Sequence, residues 1–300
     1  MAANAEFAPI ASADPIEIRT LMLDDIQDLR LGWRTRLHPD EIRRIVETYP
    51  GRSVWAPESL EFAIAAPWRH RPEITNIQEL SAVRHPDQLV EAVVERARLG
   101  GAALVLAIEL DETRRPIFYD RVSFSLLEEV ITYELVPPQL QDIAASRLQF
   151  HRIDLANPAM LDLLCNLDHS AFPWVWWNSR LEFEAYGITP GVEVFVGYDD
   201  KSPVSYVGMT SYPGWGHLDR IAVASERQRT GLGLDSLEFA VRTLTQRGAR
   251  RIGLSTQRLN LRSQQLYEQY GFRRSATNDY RLFGRYLVEP DALNSMSIRP

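Results

Sequence analysis

Among 300 residues there is one cysteine, Cys165. A lone thiol excludes an internal disulfide and a cluster of thiolate metal ligands, and it fits a reducing compartment. Its setting, Leu163-Leu164-Cys165, reads as core. The six histidines, His38, His70, His85, His151, His169 and His217, are scattered rather than grouped, so no metal site is expected. No apolar run reaches the length that crosses a bilayer. Met1 to Asp14 also lacks a basic segment leading into an apolar one, so the chain reads as cytoplasmic, with neither a secretory leader nor a membrane partner. Positive charge is in short supply: a net charge of −7 repels phosphate backbones and argues against nucleic acid as a partner. There is no excess of glycine, proline or charge to mark disorder, and 45% hydrophobic with 24% charged residues is ordinary globular composition.

A chain of this length is comfortable as two domains. Ile16 to Arg19 alternates like a short strand, and a helix capped by Asp24 or Asp25 is expected through Arg36, then another from Pro39 to Thr48. Ser59 to Ala66 and Ile74 to Ser81 read as a hairpin around the Pro67–Pro72 turn. Asp87 to Leu99 is amphipathic with Gly100-Gly101 as its stop, and Ala103 to Leu110 is a buried strand. Leu126 to Leu135 is expected to close this first sheet, and Val136-Pro137-Pro138 breaks regular structure.

The second half repeats the plan. Strands are expected at Leu148–Ile153, Val192–Tyr198, Val204–Tyr212, His217–Val223, Arg251–Ser255 and Tyr280–Leu287, with helices at Pro158–Asp168, Gly231–Arg247 and up to Tyr270. Phe118-Tyr119-Asp120-Arg121-Val122-Ser123-Phe124 aligns with Leu266-Tyr267-Glu268-Gln269-Tyr270-Gly271-Phe272, which points to an internal repeat. The expected fold class is α/β, an α+β mixed sheet built as two tandem domains, each a mixed, mostly antiparallel sheet flanked by helices. The boundaries are a flexible N-terminus at 1–14, a first domain at 15–137, a linker at 138–147, a second domain at 148–290 and a tail at 291–300.

Gln228-Arg229-Thr230-Gly231-Leu232-Gly233 stands between a strand and a long helix, where backbone amides converge on an anion. Glycine at 231 and 233 removes side chains that would block close approach. Further on comes Asn260-Leu261-Arg262-Ser263-Gln264-Gln265-Leu266-Tyr267-Glu268-Gln269-Tyr270-Gly271-Phe272. Together these resemble the Gln/Arg-x-x-Gly-x-Gly/Ala loop and the Asn-x-x-Ala/Ser-x-x-Leu-Tyr-x-x-x-Gly-Phe motif of the GNAT N-acetyltransferases, over nearly the whole second half. The resemblance implies acetyl-CoA as acyl donor and a primary amine of a small molecule or peptide as acceptor, joined by direct attack in a ternary complex. Backbone of Ile221, Ala222 and Val223 would pair with the pantetheine arm. Amides from Arg229, Thr230, Gly231, Leu232, Gly233 and Leu234 would hold the pyrophosphate, and Gln228, Asn260 and Ser263 would also meet the cofactor. Tyr267 would protonate the departing thiolate. Arginines between Arg242 and Arg262 read as solvated helix faces or contacts to that phosphorylated cofactor.

The incoming amine must lose a proton, for which His217 and Asp219 are the candidates, two apart on one strand face. Trp174, Trp176, Trp177 and Tyr186 lie where this family covers its acceptor. Aromatic density of that kind either lines a pocket or closes the core. The first half resembles a diverged GNAT domain without the cofactor loop: Ser81-Ala82-Val83-Arg84-His85-Pro86-Asp87-Gln88 has no glycine, and Pro86 removes an amide donor. An alternative from another class is a catalytically silent, coenzyme A-responsive binding or scaffold protein. The duplication would allow a monomer with pseudo-dimeric domains, or a homodimer.

Overall fold

A computed structural model describes residues 16–32, 35–110, 116–141 and 146–288. The expected N-terminus at 1–14, the tail at 291–300 and most of the middle of the linker lie outside the described residues. The strands are β1 (Arg19–Thr20), β2 (Val54–Ala56), β3 (Glu61–Trp68), β4 (Arg71–Ser81), β5 (Leu104–Glu109), β6 (Ser125–Leu135), β7 (Gln149–Arg152), β8 (Val192–Asp199), β9 (Ser202–Tyr212), β10 (Trp215–Val223), β11 (Ile252–Gln257) and β12 (Arg273–Tyr286). The helices are α1 (Pro39–Thr48), α2 (Pro86–Leu99), α3 (Pro116–Arg121), α4 (Pro158–Ala171), α5 (Arg180–Gly187), α6 (Leu232–Gln246) and α7 (Leu261–Tyr270).

All the strands join one mixed sheet of 12, in the order β1-β2-β3-β4-β5-β12-β6-β11-β10-β9-β8-β7. The expected closing strand of the first half is there, but its hydrogen-bonding partners are β11 and β12 rather than β5. Conversely β12, the last strand of the second half, pairs with β5. Each half therefore lends its final strand to the other. The hydrophobic pattern of β6 explains why this succeeds: Ile131, Tyr133 and Leu135 fill the core under α6 and α7 together with Leu218, Leu237, Leu254 and Tyr267. Each such burial stabilises by roughly 1.5–3 kcal/mol.

The parallel pairs β4–β5 and β10–β11 behave alike. Pairing of β4 with β5 stops at Ile77, and β4 carries a bulge between Ile77 and Glu79. Pairing of β10 with β11 stops at Leu218, and β10 bulges between Leu218 and Arg220. In both places the two strands then part, and a helix starts beyond the gap. The helix ends also match: Gly101 and Gly248 adopt φ of +77° and +93°. Phe124 N donates to Tyr119 O at 2.8 Å as Phe272 N donates to Tyr267 O at 2.9 Å.

Among the described residues of 24–36 the expected helix does not form, and only a 3-10 turn at Leu23–Asp28 is present. Beyond it, Gly32 N donates to Thr35 Oγ1 at 2.9 Å and Thr35 N donates to Gly32 O at 2.9 Å, local bonds that compete with a helix. The helix α5 and the strand β2 were not expected, and β12 starts earlier than the anticipated Tyr280.

A chain ending at Pro138 and a chain beginning there would each lack one exchanged strand. Neither is expected to unfold cooperatively in urea when produced alone, whereas the full chain should. A sharp transition from residues 138–300 alone, at the midpoint of the full chain, would refute this view of the sheet.

Candidate active site

After Leu218, the edge of β10 that faces β11 has no strand partner, so backbone groups of Asp219 to Val223 border an open, V-shaped gap. At its wide end, Arg229 and Gly231 adopt φ of +65° and +90°, which turns the chain abruptly into α6. Among the described residues no side chain caps that helix. Among the described residues nothing accepts a hydrogen bond from the amides of Arg229, Thr230, Gly231, Leu232 or Gly233, while Leu234 N already bonds Gly231 O at 2.9 Å. Amides left unpaired at a helix start are a cradle for an anion. Arginines ring it: Arg262 Nη1 donates to Gln228 Oε1 at 2.9 Å, and Arg147, from the connector between the halves, donates to Thr230 O. Gln228 Nε2 donates to Val223 O at 3.2 Å, tying the loop to the strand. The residues present therefore fit a phosphorylated cofactor. Sequence reasoning missed Arg147, because a single arginine in a connector carries no motif.

Under the gap, Tyr267 packs with Leu218 and Ile221 of β10, Leu254 of β11 and Leu234 of α6. Burial pushes its phenol up to about 12, a hydrogen bond with Ser263 working in part against that. It is thus a protonated hydroxyl at neutral pH. Asn260 caps α7, its Oδ1 accepting from Ser263 N at 3.2 Å.

On the opposite face stands a compact polar cluster. A Cβ at Gly216 would strike Leu244 of α6 at 2.9 Å, so Gly216 and Leu218 face that helix and His217 faces away, where a Cβ at Gly253 would meet its ring at 3.4 Å. His217 Nδ1–H donates to Asp219 Oδ1 at 2.6 Å. Asp219 Oδ2 accepts from Tyr186 Oη at 2.5 Å and from Thr210 Oγ1 at 2.6 Å. Burial, then the Asp219 charge, raises the Tyr186 phenol far above its ordinary value. Gly208 makes room for it, since a Cβ there would lie 3.0 Å from the hydroxyl. Thr210 was not singled out from the sequence, since threonine in a strand is unremarkable until its partner is known.

Of the aromatic residues, Tyr186 joins this cluster. Trp174 and Trp176 are buried against Ile74, Leu104, Leu106 and Leu282, mostly of the first half. Trp177 stacks on His169 at 4.3 Å and donates to Phe172 O at 2.7 Å. No group of three or more potential metal ligands is found among the described residues, and no described helix is long and apolar enough to cross a membrane.

Comparison with known proteins finds a likeness over part of the chain and in its fold. Residues 161–272 match the acetyltransferase (GNAT) family. Solved structures extend the likeness to the fold of nearly the whole chain. A GCN5-related N-acetyltransferase from Sphaerobacter thermophilus superposes with a TM-score of 0.60 at 15% identity, covering 91% of this chain and 96% of its own. One from Kribbella flavida gives 0.63 at 12% identity, covering 97% and 75%. A putative acetyltransferase from Pyrococcus horikoshii gives 0.55 at 13%, covering 95% and 93%. No curated protein matches.

The corresponding gap of the first half is closed from within. Ahead of α2, the amides of Val83, Arg84 and His85 donate to the Glu61 carboxylate at 2.6, 2.6 and 3.0 Å, and His85 Nδ1 lies 3.0 Å from it. Tyr119, aligned with Tyr267, gives its hydroxyl to Glu109 at 2.5 Å and stacks on Phe283 at 3.8 Å. Burial works against the Glu61 charge, but the Arg84 and Val83 amides and His85 outweigh it and hold the carboxyl below the usual range. A depressed value in the folded state means stability that is present above the ordinary glutamate range and lost as pH falls through the folded value. Glu61→Gln should therefore unfold about 1–3 kcal/mol more easily than wild type at neutral pH, with the difference shrinking in acid. Urea melts of both proteins across that range measure it; a gap that does not change with pH would count against the charged bonds.

Proposed function

We propose that the chain is an acetyl-CoA-dependent N-acetyltransferase with one working site, in the gap between β10 and β11, and that its first half is a diverged, silent copy of the same domain. The observation that carries this reading is the set of unpaired amides from Arg229 to Gly233 at the open end of that gap, with a protonated Tyr267 on one side and the His217–Asp219 pair on the other. The two halves differ where a cofactor would sit: amides unpaired in the second, amides taken by Glu61 in the first.

Acetyl-CoA supplies an acetyl group as a thioester, and the chain's task is to orient it and to move two protons. Backbone of Ile221 to Val223, which has no strand partner on the side of β11, would align the pantetheine arm as an added strand, while Gln228–Leu234, Asn260 and Ser263 would hold its phosphates and amides. The amine nitrogen attacks the thioester carbonyl carbon from the face of His217, forming the C–N bond. His217 Nε2 takes the amine's proton, since Asp219 already accepts hydrogen bonds from His217, Tyr186 and Thr210 and serves to orient the imidazole. The C–S bond then breaks, and Tyr267 donates its proton to the thiolate on the other face. Acid and base thus stand on opposite faces of the sheet, one to each proton transfer. Tyr186, bonded to Asp219, stands on the acceptor side of this arrangement, where Trp177 would join it, while Trp174 and Trp176 are buried against the first half.

Free thiol should appear from acetyl-CoA in the presence of a panel of alkylamines, amino-acid amides and short peptides. Tyr267→Phe and His217→Gln should each lower kcat by about 100-fold or more with little effect on the KM for acetyl-CoA. Gly231→Glu should abolish cofactor binding by calorimetry, because it puts a charge and a side chain in the anion cradle. If Asp219→Asn is far more damaging than His217→Gln, Asp219 is the base. Coenzyme A binding without thiol release from any amine would favour a silent, cofactor-responsive protein.

A further inference from the structure

We propose that the turn Trp68–Arg71 of the first half is a clamp that positions the acceptor-side loop of the second half, residues 172–179, with Arg69 as its central positioning residue. The kinetic part of the argument rests on the acyltransferase reading; the structural part does not.

The turn links β3 to β4, and two of its residues pay for its shape. Arg69 and His70 adopt φ of +53° and +54°, as a two-residue hairpin turn closing the Trp68–Arg71 pair requires, although residues with side chains take that conformation reluctantly. The turn is bonded along its length to the loop of the other half. Trp68 Nε1 donates to Val175 O at 2.7 Å, the Arg71 guanidinium donates to Trp174 O, and Arg69 Nη1 donates to Asn178 Oδ1 at 2.5 Å. Ser179, the N-cap of α5, returns its hydroxyl to Arg69 O at 2.8 Å. The rings close the contact: the Arg69 guanidinium lies 5.1 Å from the Trp68 ring and 5.3 Å from the Trp176 ring. Arg71 lies 4.9 Å from that of Trp174.

Burial of this cation is costly. Desolvation, and then the Arg220 charge, pulls Arg69 down to about 10, and its Nε has no partner. An apolar side chain would stabilise such a seam at least as well. A planar donor fork instead fixes the loop in one register, which a greasy contact does not.

The loop in turn is bonded to the strand that carries His217 and Asp219. Asn178 N donates to Asp168 Oδ2 at 2.8 Å, and Asp168, wholly buried, accepts from Arg220 Nη2 at 2.5 Å. Arg220 also donates to Trp176 O at 3.0 Å. It follows Asp219 directly, at the bulge that presents His217 and Asp219 to the gap. A second strut runs to α5, the helix carrying Tyr186: Tyr49 Oη and His70 Nδ1 are 2.6 Å apart, and His70 Nε2 lies 3.8 Å from Glu182. A silent first half therefore has work to do: it holds the wall against which the amine is placed. Small displacements of a bound reactant are enough to cost large factors in rate.

The test uses the full chain with Arg69→Ala and, separately, Trp68→Phe, which keeps an aromatic side chain but removes the pyrrole ring with the N–H that bonds Val175 O. Three quantities are read: amide hydrogen exchange along 172–179, the calorimetric Kd for acetyl-CoA, and kcat/KM for the best amine of the panel. Exchange in the loop should quicken and the acceptor kcat/KM should fall, each by about tenfold or more for Arg69→Ala, while the acetyl-CoA Kd stays within about twofold. Trp68→Phe should move the first two in the same direction. Unchanged loop exchange in both variants overturns the clamp, as does a loss of acetyl-CoA affinity as large as the kinetic loss. Should Arg69→Ala quicken exchange everywhere, Trp68→Phe decides. If no amine is turned over, the acyltransferase reading fails and the exchange data still settle the clamp.

Discussion

Backbone pairing between β6 and β11, running from Leu135–Ile252 to Val130–Gln257, is the contact on which the rest depends. It gives β11 a fixed partner on one side, so that on its other side β11 can part from β10 without losing its place. The same strand delivers Tyr133 to the core beneath, where its ring lies 6.1 Å from that of Tyr267 and its hydroxyl donates to Glu268 at 2.8 Å. A gap in a sheet is normally a liability, because it exposes unpaired N–H and C=O groups. Here it is tolerable because the strand bordering it is anchored by the other half of the chain.

That liability is met differently in the two gaps, and the difference is electrostatic. A row of amides at a helix start demands a negative partner. In the first half the chain provides one permanently: Glu61 is buried, charged and fully bonded. In the second half the amides from Arg229 to Gly233 are left open beside Arg147, Arg229 and Arg262, in a protein whose net charge is −7. A local excess of cations against an acidic background focuses anions at one place. Glycine at 231 keeps that place accessible; at the matching turn the first half has His85 and Pro86, which can only be filled from within.

What could be read from the sequence was what is local. The amide loop, Tyr267 with its Gly271-Phe272 stop, the helices α1, α2 and α6 and most strands follow from spacing, caps and periodicity, each set within a few residues. Strand β6 was legible as a strand, yet its alternation is equally satisfied by either neighbour, so the exchange was not. Glu61 is remote in sequence from the amides it fills, and nothing in its surroundings announces a long-range carboxylate–amide contact. Trp174 and Trp176 posed the opposite problem. Aromatic residues serve pockets and cores alike, and only the position of the first half decides between them. The helix expected up to Arg36 is absent among the described residues, where Gly32–Thr35 bonds as local as a helix's own compete with it.

The buried pair Asp168–Arg220 of the second half, bonded to the seam between the halves through Asn178, shows why such contacts should be polar at all. Removing two charges from water costs more than their attraction returns unless every remaining donor and acceptor is used. Asp168 accepts from Tyr206, Asn178 and Arg220, and Arg220 also binds Trp176 O and stacks over the Phe172 ring at 4.0 Å. Such saturation contributes little stability beyond what leucines would give, but it admits only one arrangement of α4, the loop and β10. The bulge at His217 and Asp219 is restricted by it, so that the imidazole and the carboxylate on that strand have fixed directions. The polar seam and the exchanged strands thus act on the same residues from two sides: pairing fixes where β10 and β11 part, and the buried charges fix which way the side chains at that point face.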